Sequence, residues 1–137
     1  MKLNHDCIRD VLLYIIDNIQ YTTVKHNQKR KMTIVSLKEL QSYEWEQKYS
    51  VDDVEYSVYQ LWKMQFISGD INSNSSGVLS MCFIKEVTPE GHTFADNIKD
   101  KKSWETAKEK ALAVGGVSLQ ILAHCAWDYA KYKMGIS

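Results

Sequence analysis

Apolar residues recur at helical spacing along the first twenty positions. Ile8, Val11, Leu12, Ile15 and Ile19 make one stripe of NHDCIRDVLLYIIDNIQ, so an amphipathic helix is expected there. Asn4 or Asp6 is placed to cap it, and an acid at Asp6 suits the positive end of the helix dipole. YTTVKHNQKRKMTIV then breaks the period and predicts a polar, basic loop followed by a short strand over residues 32–35. Ser36 and Glu39 have the spacing of a capping box, which starts a short second helix with Leu37 and Leu40 inward. YEWEQKY reads as a connector or as the frayed end of that helix. A third helix lies in SVDDVEYSVYQLWKMQFI, with Ser50 as its cap. Val51, Val54, Val58 and Leu61 face inward and Trp62 sits on the edge. Asp52, Tyr56, Tyr59 and Lys63 fall on the opposite face, flanked by Glu55 and Gln60.

Two β runs follow around a turn-rich loop at residues 72–77, the pattern of a hairpin with a long polar tip. Its second strand, residues 78–87, carries most of the apolar weight. Thr88 then reads as an N-cap, Pro89 as a first helical residue and Glu90 as a dipole partner. Gly91 costs about 1 kcal/mol of helix propensity in that first turn, so something is expected to pack close to the backbone there. Phe94 and Ile98 face inward. KDKK interrupts the helix, and Ser103 is placed to cap a continuation carrying Trp104, Ala107, Ala111 and Leu112. Gly115 and Gly116 stop it, and Ser118 caps a last helix, SLQILAHCAWDYAKYKM. Apart from the polar line Gln120, His124, Asp128 and Lys131, that helix is apolar or aromatic. So wide a face predicts burial on two sides, either against a second copy or within one chain.

Length and charge narrow the picture. A chain of 137 residues with 45% hydrophobic and 25% charged residues fits one soluble domain. Lys plus Arg equal Asp plus Glu at 17 each, so no global field draws the chain to nucleic acid or anionic lipid, and such binding needs a local patch. Cys7, Cys82 and Cys125 are widely spaced and odd in number, which suits free buried thiols in a reducing compartment. A polar N-terminus and the lack of a long apolar run predict a cytoplasmic protein without a membrane segment.

Two motifs carry a resemblance. MKLNHDCIRDVLL and VTPEGHTFADNIKDKKSW are similar to the MKxNxDxxRDxLL and LTxxGHxFLDxIRDxxxW of an uncharacterised family of small bacteriophage and prophage proteins. Ala95 replaces a Leu of that pattern and Lys99 an Arg. The order of elements, with VEYSVYQLWKMQFISG and VTPEGHTF, also resembles winged helix-turn-helix regulators, although Gln65 stands where a glycine is usual after the third helix. The resemblance implies an α+β fold: a winged helix-turn-helix core with its wing over residues 1–87, and two additional C-terminal helices over 88–137, all in one domain. It also implies a bacterial host cell as the site of action.

No catalytic motif stands out, and His5, His26, His92 and His124 lack metal-ligand spacing, so no enzyme activity, metal or cofactor is expected. A DNA-binding regulator is the leading expectation. Its contacts would come from Tyr56, Tyr59, Gln60 and Lys63 on the third helix, from Lys25, Lys29, Arg30 and Lys31, and from Asn72 and Asn74 at the hairpin tip. Asp52, Asp53 and Glu55 near that helix face oppose phosphate contact and favour the alternative, a module that binds a host protein of transcription or antiviral defence. A homodimer is expected through Leu119, Leu122, Ala123, Ala126, Trp127 and Ala130 of the last helix.

Overall fold

In a computed structural model, residues 1–115 and 118–135 are described. The order is α1 (His5–Asn18), β1 (Tyr21–Thr23), β2 (Arg30–Met32), β3 (Val35–Ser36), α2 (Leu37–Ser42), a 3-10 turn (Trp45–Gln47), α3 (Val51–Lys63), β4 (Ile67–Ser73), β5 (Leu79–Val87), α4 (Pro89–Ile98), α5 (Lys101–Ala113) and α6 (Leu119–Lys133). The fold is a mixed α+β one with two small antiparallel sheets. One pairs β1 with β2; the other has the order β3-β5-β4.

The caps explain most boundaries. Asn4 accepts from Cys7 N, Thr88 from Gly91 N and Ser118 from Ile121 N, each satisfying an otherwise orphaned amide. A full capping box occurs at Ser50 and Asp53, whereas Ser36 makes only half of one. Its expected partner Glu39 instead accepts a hydrogen bond from the Tyr14 hydroxyl at 2.8 Å. Ser103 is not a cap. Asp100, in extended backbone, accepts from Ser103 N and starts α5, while Ser103 is buried inside that helix. One extended residue thus makes two helices of the expected one, so three helices follow the wing rather than two. Gly115 has the left-handed φ of a helix stop; Gly116 lies outside the described residues.

The core gathers Ile8, Val11, Leu12 and Ile15 of α1 with Val54, Val58 and Leu61 of α3, and continues through Ile67 and Ile84 of the sheet to Phe94, Ile98, Trp104 and Leu122. Two expected core residues lie outside it. Val51 is 56% exposed because it opens the first turn of α3, and Leu112 is 61% exposed in the last turn of α5. Part of the wide apolar face of α6 is covered within the chain, since α6 packs on α4 and α5, while Ile121, Trp127 and Tyr132 stay exposed. Leu119, Leu122 and Ala126 are buried there, Ala123 and Ala130 are half-buried, and Trp127 is exposed. Three of the six residues expected at a dimer surface are therefore not available to a second copy through this helix.

Gly91 sits where α4 meets the exit of α3. A Cβ at this position would run into the backbone carbonyl oxygen of Phe66 and approach Val87 Cγ1 to 2.8 Å. Thr88 fastens the same junction. Its amide donates to Phe66 O at 3.0 Å and its hydroxyl to Gln65 O at 2.7 Å. Gln65 itself is left-handed at φ 61°, and the bonds Gln65 N to Trp62 O and Phe66 N to Leu61 O are those of a Schellman ending. The usual glycine is thus replaced by a residue that bears the left-handed cost of about 1–2 kcal/mol.

The N-terminal helix clamps the C-terminal ones. Arg9 donates to the last carbonyls of α4, to Ile98 O at 2.9 Å and Lys99 O at 2.7 Å, where a cation also suits the negative helix end. Asp6 accepts from Trp104 Nε1 at 2.8 Å and from Lys108 Nζ at 2.9 Å, both on α5. Burial alone would raise the Asp6 carboxyl, but these two partners hold it below its ordinary value.

Two predictions follow from these contacts. Gly91→Val should lower stability by more than the roughly 1 kcal/mol that helix propensity explains; an unchanged denaturation midpoint would show that the junction is open. For Asp6, a lowered folded-state value means stability that is present above the unfolded value of about 3.9 and lost as pH falls through the folded one. Asp6→Asn should cost up to about 1 kcal/mol at neutral pH, given its partial exposure. The gap to the parent protein should close in denaturation curves taken below about pH 4.

Candidate nucleic-acid interface

The basic stretch at residues 25–31 is not a loop followed by a strand. It forms the tip and second strand of a two-stranded ribbon, with Tyr21 opposite Met32, Thr22 opposite Lys31 and Thr23 opposite Arg30. Cross-strand β-branched and aromatic residues favour the pairing. The turn closes through Val24 N to Lys29 O and Gln28 N to Val24 O, both 2.8 Å, with Gln28 left-handed and the Asn27 side chain accepting from Lys29 N at 3.0 Å. Thr33 ties the base to the body. Its amide donates to Gln20 O at 2.8 Å and its hydroxyl to Asn18 O at 2.8 Å, beside the end of α1.

Because side chains alternate along a strand, Tyr21, Thr23, Arg30 and Met32 share one face and Thr22 and Lys31 the other. Lys25, Lys29, Arg30 and Lys31 are all exposed. Arg30 lies over the Tyr21 ring at 4.6 Å. Among the described residues no carboxylate is within ion-pair distance of these four cations. The ribbon therefore presents a cationic surface on both faces, and its charge is not neutralised by the body.

The third helix offers less. Tyr56, Tyr59 and Gln60 are half-buried, and only Lys63 is exposed, between Tyr59 at 5.9 Å and Trp62 at 5.8 Å. Two of the three nearby acids have structural roles: Asp53 completes the capping box, and Glu55 accepts from Leu79 N at 3.2 Å, which holds the start of β5 against α3, while Asp52 is exposed. At the wing tip Asn72 is exposed, while Asn74 accepts from Ser76 N at 2.9 Å and Val78 N at 3.1 Å and so shapes the turn. The structure brings α3 and the wing together through Glu55; the ribbon is anchored instead on the end of α1.

A second feature was hidden in YEWEQKY. Trp45, Glu46 and Gln47 have φ of 48°, 53° and 60°, three consecutive left-handed residues without a glycine. Trp45 is held by its indole N–H on Leu40 O at 2.7 Å, and it packs on Tyr14, Tyr43 and Tyr49. Between this turn and α1 lies a groove of about 610 Å³ walled by Tyr14, Tyr43 and Trp45 and edged by Asp10, Asp17, Glu44 and Glu46. Lys48 is the lone cation of its lining. Burial and the carboxylate of Glu39 push the Tyr14 hydroxyl up to about 12, and burial with the bond to Asp10 at 2.6 Å raises that of Tyr49. The alternation of aromatic and acidic residues was the available sequence signal; the left-handed turn that folds them onto one side had none.

Among the described residues no group of three or more His, Cys, Asp or Glu is placed to hold a metal ion, and no helix is long and apolar enough to cross a membrane. All three cysteines are buried. Burial pushes the Cys7 and Cys82 thiols up to about 11 and raises that of Cys125, away from the thiolate form.

The molecule is thus an α+β protein with a basic ribbon and an aromatic–acidic groove on its surface. It belongs to the family described as hypothetical protein (DUF2513), whose model matches residues 2–118. Neither a curated protein nor a solved structure matches the chain.

The left-handed turn has a measurable signature. Glu46 is exposed and only weakly paired with Lys48 at 3.9 Å, so Glu46→Gly removes little except backbone strain. It should raise stability by about 1 kcal/mol in a denaturant titration. A loss of stability would mean that Glu46 does not hold this conformation.

Proposed function

We propose that this protein is a non-enzymatic DNA-binding regulator on a winged helix-turn-helix core, encoded by a phage or prophage and acting in the cytoplasm of the bacterial host. The element order α1, β3, α2, α3, β4, β5 and the strand order β3-β5-β4 support such a core. One observation carries the DNA reading: a two-stranded ribbon with four exposed, unpaired cations. A ribbon of this kind fits the major groove, and its cations meet phosphates without competition from carboxylates. The ribbon rather than α3 is the principal contact, because α3 presents half-buried tyrosines and one lysine. Lys63 and the wing residue Asn72 add backbone contacts at the rim.

A protein-binding module aimed at host transcription or antiviral defence is the second reading, favoured by the aromatic–acidic groove, which no phosphate backbone would enter.

Binding to a labelled mixed-sequence duplex separates the two. Four phosphate contacts give a slope of log affinity against log salt near −0.9 per contact, about −3.6 in all. Lys29→Glu with Arg30→Glu should weaken binding more than about tenfold. No detectable binding of the parent protein to duplex at low salt would sink the DNA reading. Recovery of one host protein on the immobilised chain, resistant to nuclease, would establish the second.

A further inference from the structure

We infer that the ribbon of one chain docks in the aromatic–acidic groove of a second copy, and that this contact competes with DNA for the same cations. The docking stands on geometry and charge alone; the competition rests on the DNA reading above.

Residues 21–32 hold four basic side chains and no acidic one. In a chain with equal numbers of both, the remainder carries a matching excess of acid. Part of that excess is concentrated at the groove, where four carboxylates face one ammonium group. Lys48 is engaged with Asp10 at 3.6 Å and Glu46 at 3.9 Å, and no cation lies within ion-pair distance of Asp17 or Glu44 among the described residues. The wall supplies the other half of a guanidinium site. Tyr43 packs on Trp45 at 4.7 Å and on Tyr14 at 4.8 Å yet stays 51% exposed, which leaves ring surface for a stacked cation. The ribbon already uses that chemistry, with Arg30 on Tyr21.

The same facts select the occupant. Nucleic acid is repelled by the carboxylates. An apolar segment would desolvate them without partners. A cationic ribbon satisfies both wall and rim, and this chain carries one whose side chains are exposed rather than seated in its own groove. Exchange about a two-fold axis puts each ribbon in the other chain's groove and closes the assembly as a dimer with two equivalent contacts. The paired ribbons are then hidden from phosphate, and DNA releases them.

Sedimentation velocity on the full chain tests this. At about 0.03 M salt and micromolar concentration, twice the 15.9 kDa chain mass is expected, reverting to one chain at about 0.5 M as the charges are screened. Glu44→Lys with Glu46→Lys should abolish the dimer and retain duplex binding. Lys29→Glu with Arg30→Glu should abolish the dimer and weaken duplex binding more than about tenfold. Mixing the two variants should restore a dimer, because each reversed ribbon then meets a reversed groove, and circular dichroism confirms that both variants are folded. Added duplex should dissociate the parent dimer. A monomer at every concentration in low salt, or a dimer indifferent to both charge reversals, or no association on mixing, overturns the docking. A duplex that binds the intact dimer overturns the competition. A salt-sensitive dimer that binds no DNA leaves the docking in place and removes only the DNA reading.

Discussion

The approach of α4 to the Phe66 carbonyl is the constraint on which the rest of the molecule depends. It brings the end of α3, the first residue of β4, the last of β5 and the first turn of α4 to one point. Only a residue without a side chain fits between the helix and that carbonyl. Once Gly91 is seated, Thr88 caps α4 and bonds back to Gln65 and Phe66, so the wing hairpin is closed at its base by the same residues that start the C-terminal helices. The strained Gln65 belongs to this arrangement, since the Schellman ending turns the chain from α3 into β4 within three residues.

The stretches MKLNHDCIRDVLL and VTPEGHTFADNIKDKKSW are partners of each other. Asn4 caps α1, Asp6 bonds Trp104 and Lys108, and Arg9 covers the end of α4 at Ile98 and Lys99. These polar residues serve docking of the first helix onto the fourth and fifth. Both stretches serve architecture; the ribbon lies outside them, and the groove shares only Asp10 and Leu13 with the first.

Much of the fold was legible because its signals are local. Ser50, Thr88, Pro89 and Ser118 mark helix starts by bonds within three residues, and the stripes on α1 and α3 follow a single period. The errors fall where distant partners decide. Glu39 was taken from its capping box by Tyr14, twenty-five positions away in the chain. Part of the apolar breadth of α6 reflects neighbours on α4 and α5. The candidate site was legible as composition but not as shape: the basic cluster was visible, whereas its strand pairing rests on a left-handed Gln28 that no propensity favours. The groove was not legible at all, because three left-handed residues in succession run against every local preference.

The base of the ribbon carries one further consequence. Gln20 and Thr33 face each other across it, joined at 2.8 Å by the Thr33 amide and at 3.0 Å by the Thr33 hydroxyl. The path of the chain leaves the body and returns to it at the same spot, and the core closes beneath without help from the twelve residues between. Such an arm is a detachable module. A change in its length or charge leaves every contact of the core in place.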